Sequence, residues 1–151
     1  MGYVEAVLQK DETVLFRGEL HWVSYLRGLL FLLAAAAVAL APVPVNWRAT
    51  VNVLAIALAV VSLPFLIHAW YDRWITEMVV TSRRIIYKRG LIRRKTAEMN
   101  LDKVESVNVN QSILGRVLDY GTIDVRGTGG GIEGVRGIAH PLAFRSAITA
   151  R

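Results

Sequence analysis

The pattern of apolar and polar positions changes its period near residue 77. Before this point, residues 28–47 and 49–67 form two long apolar stretches that contain no ionisable side chain. After it, short runs of β-branched residues alternate with polar residues and are separated by turn residues. An apolar stretch of about twenty residues predicts a helix that can cross a bilayer, whereas period-two alternation predicts strands with one buried face. We therefore expect a helical part followed by a β-rich part.

The two apolar stretches predict a transmembrane hairpin over residues 28–70, with helices at about 28–45 and 50–70. The segment between them, "PVPVNWR", contains Pro42 and Pro44, and proline ends a helix. Because this link is short, the helices must be antiparallel and both long ends of the chain lie on one side. A buried helix of a soluble core is the alternative, but two uncharged stretches in succession within 151 residues favour the membrane.

The distribution of Lys and Arg predicts the orientation of this hairpin. Three of them precede it, Arg48 alone lies at its tip, and fourteen follow it. The positive-inside rule then places both ends in the cytoplasm, with residues 1–27 as an N-terminal segment and residues 75–151 as a domain. Aromatic residues at the ends of the apolar stretches are the expected membrane-interface anchors: Trp22, Tyr25, Trp47, Trp70, Tyr71 and Trp74.

The β-rich part predicts a small antiparallel barrel or sandwich. Alternation predicts Val107 and Val109 on a buried face, with Asn108 and Asn110 in water. Residues 112–121 have a helical spacing of apolar residues, and Pro141 can open a short C-terminal helix that closes the barrel. The expected strands are residues 77–81, 84–89, 95–101, 105–111, 121–127 and 131–139.

Seven basic residues lie between positions 83 and 95, and this stretch contains no acidic residue. They are Arg83, Arg84, Lys88, Arg89, Arg93, Arg94 and Lys95. Anionic lipid head groups or an acidic partner are the expected contacts, because each basic group near an anionic membrane is attracted by about 1 kcal/mol. Strand residues that merely point their charges into water are the alternative. A nucleic acid partner is disfavoured by the membrane tether and by the lack of interleaved aromatic residues, since only Tyr87 is present.

The sequence contains no arrangement that is typical of an enzyme. The histidines are far apart, and no paired-carboxylate or metal-ligand spacing is present. The glycines of residues 129–134 match G-x-G-x-x-G as text, but a strand rather than a helix is predicted after them, which favours a hairpin turn. With no cysteine either, we expect no catalytic residue, no cofactor and no metal site.

Three segments resemble the bacterial PH-like (pleckstrin-homology-like) domain family of small membrane-anchored proteins. They are "KDETVLFRGELHW" before the hairpin, "VVTSRRIIYKRGLI", and "MNLDKVESVNVNQSILGRVLDYGTIDV". The resemblance implies a PH-like barrel on the cytoplasmic side of a two-helix anchor in a bacterial inner membrane. Eukaryotic PH domains bind phosphoinositides through a basic loop between their first two strands. Arg83 and Arg84 are expected in the corresponding turn, which is too tight to carry over that specificity.

These observations predict a non-enzymatic, membrane-anchored scaffold or accessory subunit that docks a partner protein at the cytoplasmic face. The expected partners are the lipid bilayer and a membrane or membrane-associated protein, for which a second copy of the chain is one candidate. A sensor that binds anionic lipid head groups through its basic face is the alternative function.

Overall fold

The computed structural model describes residues 7–90 and 95–150. Contacts divide the chain into two units. The first, the β-unit, combines residues up to 21 with residues from 73 onward, and the second, the hairpin unit, comprises residues 22–72. The predicted boundary at residue 75 therefore omits a part of the β-unit that precedes the helices.

The hairpin unit contains two helices that are long and apolar enough to cross a membrane. A 3-10 turn at Trp22–Tyr25 leads into α1 (Leu26–Ala39), and α2 (Val45–Ile75) is longer than predicted. The helix resumes directly after Pro44, so most of the predicted link belongs to α2. The Arg48 side chain donates a hydrogen bond of 3.0 Å to the carbonyl of Ala41, which satisfies an acceptor just beyond α1.

Small residues line the contact between the two helices. Within the hairpin unit, residues 22–72, the buried positions are spaced seven residues apart on each helix: Gly28 and Ala35 on α1, and Ala55, Ser62 and Ala69 on α2. A period of 3.5 residues keeps a seam between two helices in register, and small residues let their backbones approach closely. Above Gly28 the helices also bring the rings of Phe31 and Phe65 into a stacked contact, with centroids 5.4 Å apart.

The β-unit consists of two antiparallel sheets and a closing helix. The four-stranded sheet has the order β1 (Val14–Gly18), β2 (Thr76–Thr81), β3 (Arg84–Arg89) and β4 (Lys95–Asn100). The three-stranded sheet has the order β5 (Val104–Asn110), β6 (Tyr120–Gly127) and β7 (Gly130–Ala139). A five-residue helix, α3 (Ile113–Val117), connects β5 to β6, and α4 (Pro141–Thr149) follows β7.

Large apolar side chains from both sheets and from α4 form the core of the β-unit. Ile85, Ile123, Val125 and Ile138 are inaccessible to water, and Phe144 of α4 packs edge-on against Phe16. The other face of β2 and β3 is covered as well, since Val79 and Ile86 pack against Leu8 and Val14. This double burial explains why β2 reads as a continuous apolar run rather than as an alternating one.

Two details of the β-unit differ from the sequence prediction. Strand β1 was not expected, because its partner β2 follows the whole hairpin: Gly18 pairs with Met78. In β5, Val107 and Val109 are half-buried rather than buried, while Asn108 and Asn110 are exposed as predicted. The valines retain partial exposure because β5 is an edge strand, with β6 as its only strand partner among the described residues.

Candidate functional site

The basic segment does not form one patch. Its first residues lie at one end of β3, and its later residues lie at the other end of the same strand. Arg83 lies in the β2–β3 turn, which we name the turn end. Arg89 pairs with Thr76, the first residue after α2, and also with Lys95. Arg84 and Arg89 are five positions apart along β3, or about 17 Å at 3.3 Å per residue. Arg93 and Arg94 lie outside the described residues.

This topology also corrects the expected position of Arg83 and Arg84. The sequence resemblance predicts that these two arginines lie in the turn between the first two strands of a PH-like domain. Because β1 precedes the hairpin unit, their turn connects the second and third strands. The connection between the first two strands is instead the whole helical hairpin.

At the turn end, Arg84 is held in a buried network. Its guanidinium donates to both carboxylate oxygens of Glu12, with Nε–Oε1 at 3.0 Å and Nη2–Oε2 at 2.9 Å. Its Nη1 donates to Glu98 at 2.7 Å, and the Thr81 hydroxyl donates to Glu12 at 2.6 Å. The Glu12 side chain is completely inaccessible to water, and that of Arg84 is 15 % exposed. Charge-assisted, bidentate pairs of this kind are among the stronger polar contacts in proteins.

The charges in this network stabilise one another. The hydrogen bonds from Arg84 are the largest cause that lowers the pKa of Glu12, from 4.5 to about 2, although burial opposes the shift. The same pair raises the pKa of Arg84. Glu12 thus holds the N-terminal segment against the β2–β3 turn, and Arg84 acts inside the domain rather than as a free surface cation.

The other basic residues fall into two groups. Lys88 is paired with Glu77 across β2 and β3, with Nζ–Oε1 at 3.1 Å, and Arg83 donates to the Gln9 side chain at 3.3 Å. Arg89 and Lys95 are exposed neighbours at the end of the sheet where α2 runs into β2. Head-group contact by the basic segment remains a prediction.

The residues that flank the hairpin unit are tied to both sheets, and we name this region of the β-unit the junction end. The His21 amide donates to the Gly137 carbonyl, and the Ala139 amide donates to the Glu19 carbonyl. Glu19 also forms an ion pair with Arg73, at 3.4 Å. On the other side, the Gly90 amide donates to the carbonyl of Ile75. The chain therefore leaves and re-enters the β-unit at fixed points.

His21 and His140 come together at the junction end, which the sequence reasoning missed. His21 stacks on Tyr120 with ring centroids 5.3 Å apart, and its ring hydrogen-bonds the backbone of Leu118. His140 Nδ1 lies 2.5 Å from the carboxylate of Asp119. Burial, followed by the charge of His140, lowers the pKa of His21. No local motif signals this contact, because residues 21 and 140 meet only through the pairing of Leu20 with Ile138.

The short helix α3 exposes an apolar surface beside this cluster. Ile113, Leu114 and Val117 are 83 %, 64 % and 76 % exposed. A depression of about 370 Å³ opens beside it, lined by Val109, Gln111, Arg116, Asp119, Leu142 and Arg145. Contiguous exposed apolar side chains often mark an interaction site.

No group of three His, Cys, Asp or Glu side chains within residues 7–90 and 95–150 could hold a metal ion. Gly129, with a positive φ of 92°, lies in the β6–β7 turn and is followed by a strand, which confirms the hairpin interpretation of the glycine-rich segment. Both depressions described in the β-unit are open to solvent, and the second lies between the end of β5 and β7.

The expected membrane-interface anchors lie at the ends of the two helices. Trp22 and Tyr25 form the turn before α1, Trp47 lies in the first turn of α2, and the others lie in its last two turns: Trp70, Tyr71 and Trp74. All except Tyr25 are exposed. Anchoring of the chain at the membrane interface by these residues remains a prediction.

The comparison with protein families identifies the chain. The family described as Bacterial PH domain matches residues 22–150, which include both helices and all strands after β1. No significant match was found among curated proteins or among solved structures. The match covers most of the chain, and its two sheets with a closing helix are the architecture that the sequence resemblance implied. The chain belongs to the Bacterial PH domain family.

Proposed function

We propose that the protein is a non-enzymatic, membrane-anchored docking module. Its helical hairpin spans the inner membrane, and its β-unit binds an extended segment of a membrane or membrane-associated partner protein in the cytoplasm. The observation that carries the docking role is the open edge of β5. The anchoring role is supported separately by the surface of the two helices.

The helices of the hairpin unit have the surface expected in lipid. Only 11 % of the apolar window of each helix is buried, whereas the core helix of a soluble protein would be mostly buried. With its 3-10 turn, the first segment has a length of about 29 Å, and α2 has a length of about 46 Å, so each can cross roughly 30 Å of hydrocarbon. The excess of Lys and Arg on the long ends supports a cytoplasmic β-unit.

The second half of β5 lacks the features that commonly protect an edge strand. Among the described residues, β5 pairs with β6 alone. Its bulge between Val104 and Ser106 and its one charged residue, Glu105, lie at its first end, so residues 107–110 contain no charge, no proline and no bulge. Proteins commonly protect such edges with Lys, Pro or bulges, because an unpaired edge is a template for another strand. In β4, the edge of the other sheet, Lys95 and Glu98 provide such charges. A partner strand that adds to β5 would gain main-chain hydrogen bonds and contact the half-buried Val107 and Val109.

A sensor of anionic head groups is the second candidate function. The exposed pair Arg89 and Lys95 at the junction end favours it. The pairing of Arg84 with Glu12 and of Lys88 with Glu77 argues against it, since these carboxylates already balance two of the seven basic charges. For this reason we rank it below protein docking.

Site-specific photocrosslinking in intact cells tests the docking role. A photoreactive residue at Asn110, which is exposed at the end of β5, should crosslink to a discrete membrane-associated protein. The same residue at Arg83, which is also exposed but lies at the turn end, should not. Ser106→Lys with Asn108→Lys should abolish the crosslink by charging the edge, whereas Asn108→Ser should leave it unchanged. Equal crosslinking at both positions, or persistence after the lysine changes, would overturn the docking proposal.

Cysteine labelling tests the topology. The chain has no cysteine, so a single cysteine in place of Asn46 or Gly130 can be treated with a membrane-impermeant reagent in intact cells. Position 46 should react and position 130 should react only after lysis. The reverse pattern would refute a cytoplasmic β-unit.

A further inference from the structure

The apolar surface of α3 is built on a fixed platform. The Ser112 side chain accepts a hydrogen bond from the Gly115 amide at 3.0 Å and so caps the helix. The Gln111 side chain donates to the carbonyls of Gly115 and Tyr120. A side chain at Gly115 would meet the Tyr120 carbonyl oxygen at 2.7 Å, so glycine is required for this close approach. The local hydrogen bonds thus hold a five-residue helix in place while its apolar side chains face water.

This platform lies beside the point where the chain enters the hairpin unit. The backbone of Leu118, the C-cap of α3, forms a hydrogen bond with the His21 ring, and Tyr120 stacks on the same ring. Trp22, the next residue after His21, begins the first segment that can cross a membrane. Val117 adjoins Leu118 in the chain, so its Cα lies about 3.8 Å from that of Leu118. The platform is thus built around His21, the residue that immediately precedes this candidate membrane span.

The surroundings of the apolar surface are basic. Arg116 of α3 and Arg145 of α4 line the depression of about 370 Å³, together with Leu142, which is 49 % exposed. Asp119, which also lines it, is engaged by His140. Aliphatic side chains beside arginines are typical of surfaces that lie in the membrane interface, where the apolar groups enter the acyl boundary and the cations contact lipid phosphates.

We propose that α3 is a lipid-inserting wedge, in which Ile113, Leu114 and Val117 enter the cytoplasmic membrane interface and Arg116 and Arg145 contact anionic lipid phosphates. This proposal rests on the anchoring part of the proposed function and is independent of docking at β5. It gives the β-unit a third membrane contact besides its two chain connections and thereby fixes its orientation. A protein partner fits this surface less well. Three or four aliphatic side chains provide only a fraction of the roughly 800 Å² that each partner buries in a stable protein interface.

Fluorescence of the full-length chain in lipid nanodiscs tests the wedge. An environment-sensitive probe on a single cysteine at Leu114 should show blue-shifted emission and quenching by lipids that carry a nitroxide near the head group. The matched control is a probe at Thr128, which is exposed in the β6–β7 turn and contacts Lys103 at the opposite end of the sheet. It should remain water-like and unquenched. Arg116→Gln with Arg145→Gln should reduce quenching at position 114 in discs that contain phosphatidylglycerol, and Ile113→Ser with Val117→Ser should reduce it in all discs.

A third probe separates failure of the wedge from failure of the anchor. A cysteine at Ile56, in the middle of the second apolar stretch, should be quenched by nitroxides deep in the bilayer. If position 56 is quenched but position 114 stays water-like, the wedge is refuted and the anchor stands. If position 56 is not quenched, the membrane anchor itself is refuted. If position 114 is shielded in native membranes but not in discs of pure lipid, a protein covers α3, and the lipid proposal is overturned.

Discussion

The β-unit and the hairpin unit use apolar side chains in opposite ways. In the β-unit the largest apolar side chains are the most buried, as Ile123 and Phe144 show at 0 % exposure. In the hairpin unit small residues such as Gly28 are buried, whereas Leu33 and Ile67 are 65 % and 61 % exposed. In a hairpin that spans the membrane, as we propose, the hydrophobic effect cannot stabilise the helix contact, because lipid is as apolar as leucine and close backbone contact must hold the helices together. The surfaces of the two units therefore suit different solvents.

Truncation of a large core residue should show the largest difference in stability effect between the two units. Phe144→Ala should lower the free energy of unfolding of the β-unit by about 3–5 kcal/mol, because the cavity between β1 and α4 cannot close fully. Hydrogen exchange of β6 and β7 amides in the full chain, in nanodiscs, measures this change. Leu33→Ala, which removes an exposed side chain from α1, should leave both units unchanged. A similar loss from both variants would contradict the comparison.

Removal of Arg84 tests the buried ion-pair network that Arg84 forms with Glu12 in the β-unit. Arg84→Ala leaves the Glu12 carboxylate buried without its partner, and breaking a buried pair in this way costs about 3–5 kcal/mol. Arg83→Ala, at the neighbouring exposed position, should change the free energy of unfolding by no more than about 0.5 kcal/mol. The same exchange experiment compares them. Equal effects would show that the network at the turn end contributes little.

Acid should destabilise the β-unit before it affects the hairpin unit. The pKa of Glu12 is about 2 in the folded chain and 4.5 ordinarily, so the unfolded chain binds the proton more tightly. The stabilisation by Glu12 is therefore complete above about pH 4.5 and is lost as the pH falls towards 2, with a total on the order of 3 kcal/mol. Hydrogen exchange across this range should show a slope that Glu12→Gln removes. An unchanged slope in that variant would assign the acid sensitivity to other groups.

Enlargement of a buried small residue should have a moderate effect, and only in the hairpin unit. A side chain at Gly28 would meet Cγ and Cδ2 of Leu66 at 2.6 Å, so Gly28→Leu forces the helices apart. Overpacking of this kind costs about 1–3 kcal/mol. Crosslinking between cysteines at positions 31 and 65, where the two rings now stack, should become slower. Leu30→Phe enlarges an exposed position on the same helix. If it slows the crosslinking equally, the row of small buried residues is not what holds α1 and α2 together.

Much of the fold was predictable because its signals are local. The six predicted strands agree with β2 to β7 within about one residue at most boundaries, since alternation and turn residues are read from neighbouring positions. Pro141 marked the start of α4 correctly. Strand β1 shows the same alternation, but its partner among the described residues, β2, lies beyond the hairpin, so no neighbouring strand revealed it. The half-burial of Val109 was likewise hidden, because the sequence does not show which strand lies at an edge.

The candidate site was less predictable, because strand register and long-range pairing decide what each basic residue contacts. A run of seven Lys and Arg residues suggested one surface. The structure directs Arg84 inward to Glu12, 72 residues earlier in the chain, and places Arg89 at the other end of β3. Charge density in a sequence does not indicate which carboxylates fold against it. The junction end was hidden for the same reason, since His21 and His140 approach each other only after β7 is in place.

The position of the hairpin between β1 and β2 has a consequence for the order of biosynthesis. Strand β1 leaves the ribosome first and cannot pair until Met78 has been made, 60 residues later, which at about 5–20 residues per second takes roughly 3–12 seconds. During that time both apolar helices are available for membrane insertion. Once they are antiparallel, they bring the two ends of a long loop together and lower the entropic cost of joining β1 to β2. If the hairpin spans the membrane as we propose, its insertion should precede and promote folding of the β-unit, and an uninserted chain would be left with an incomplete sheet.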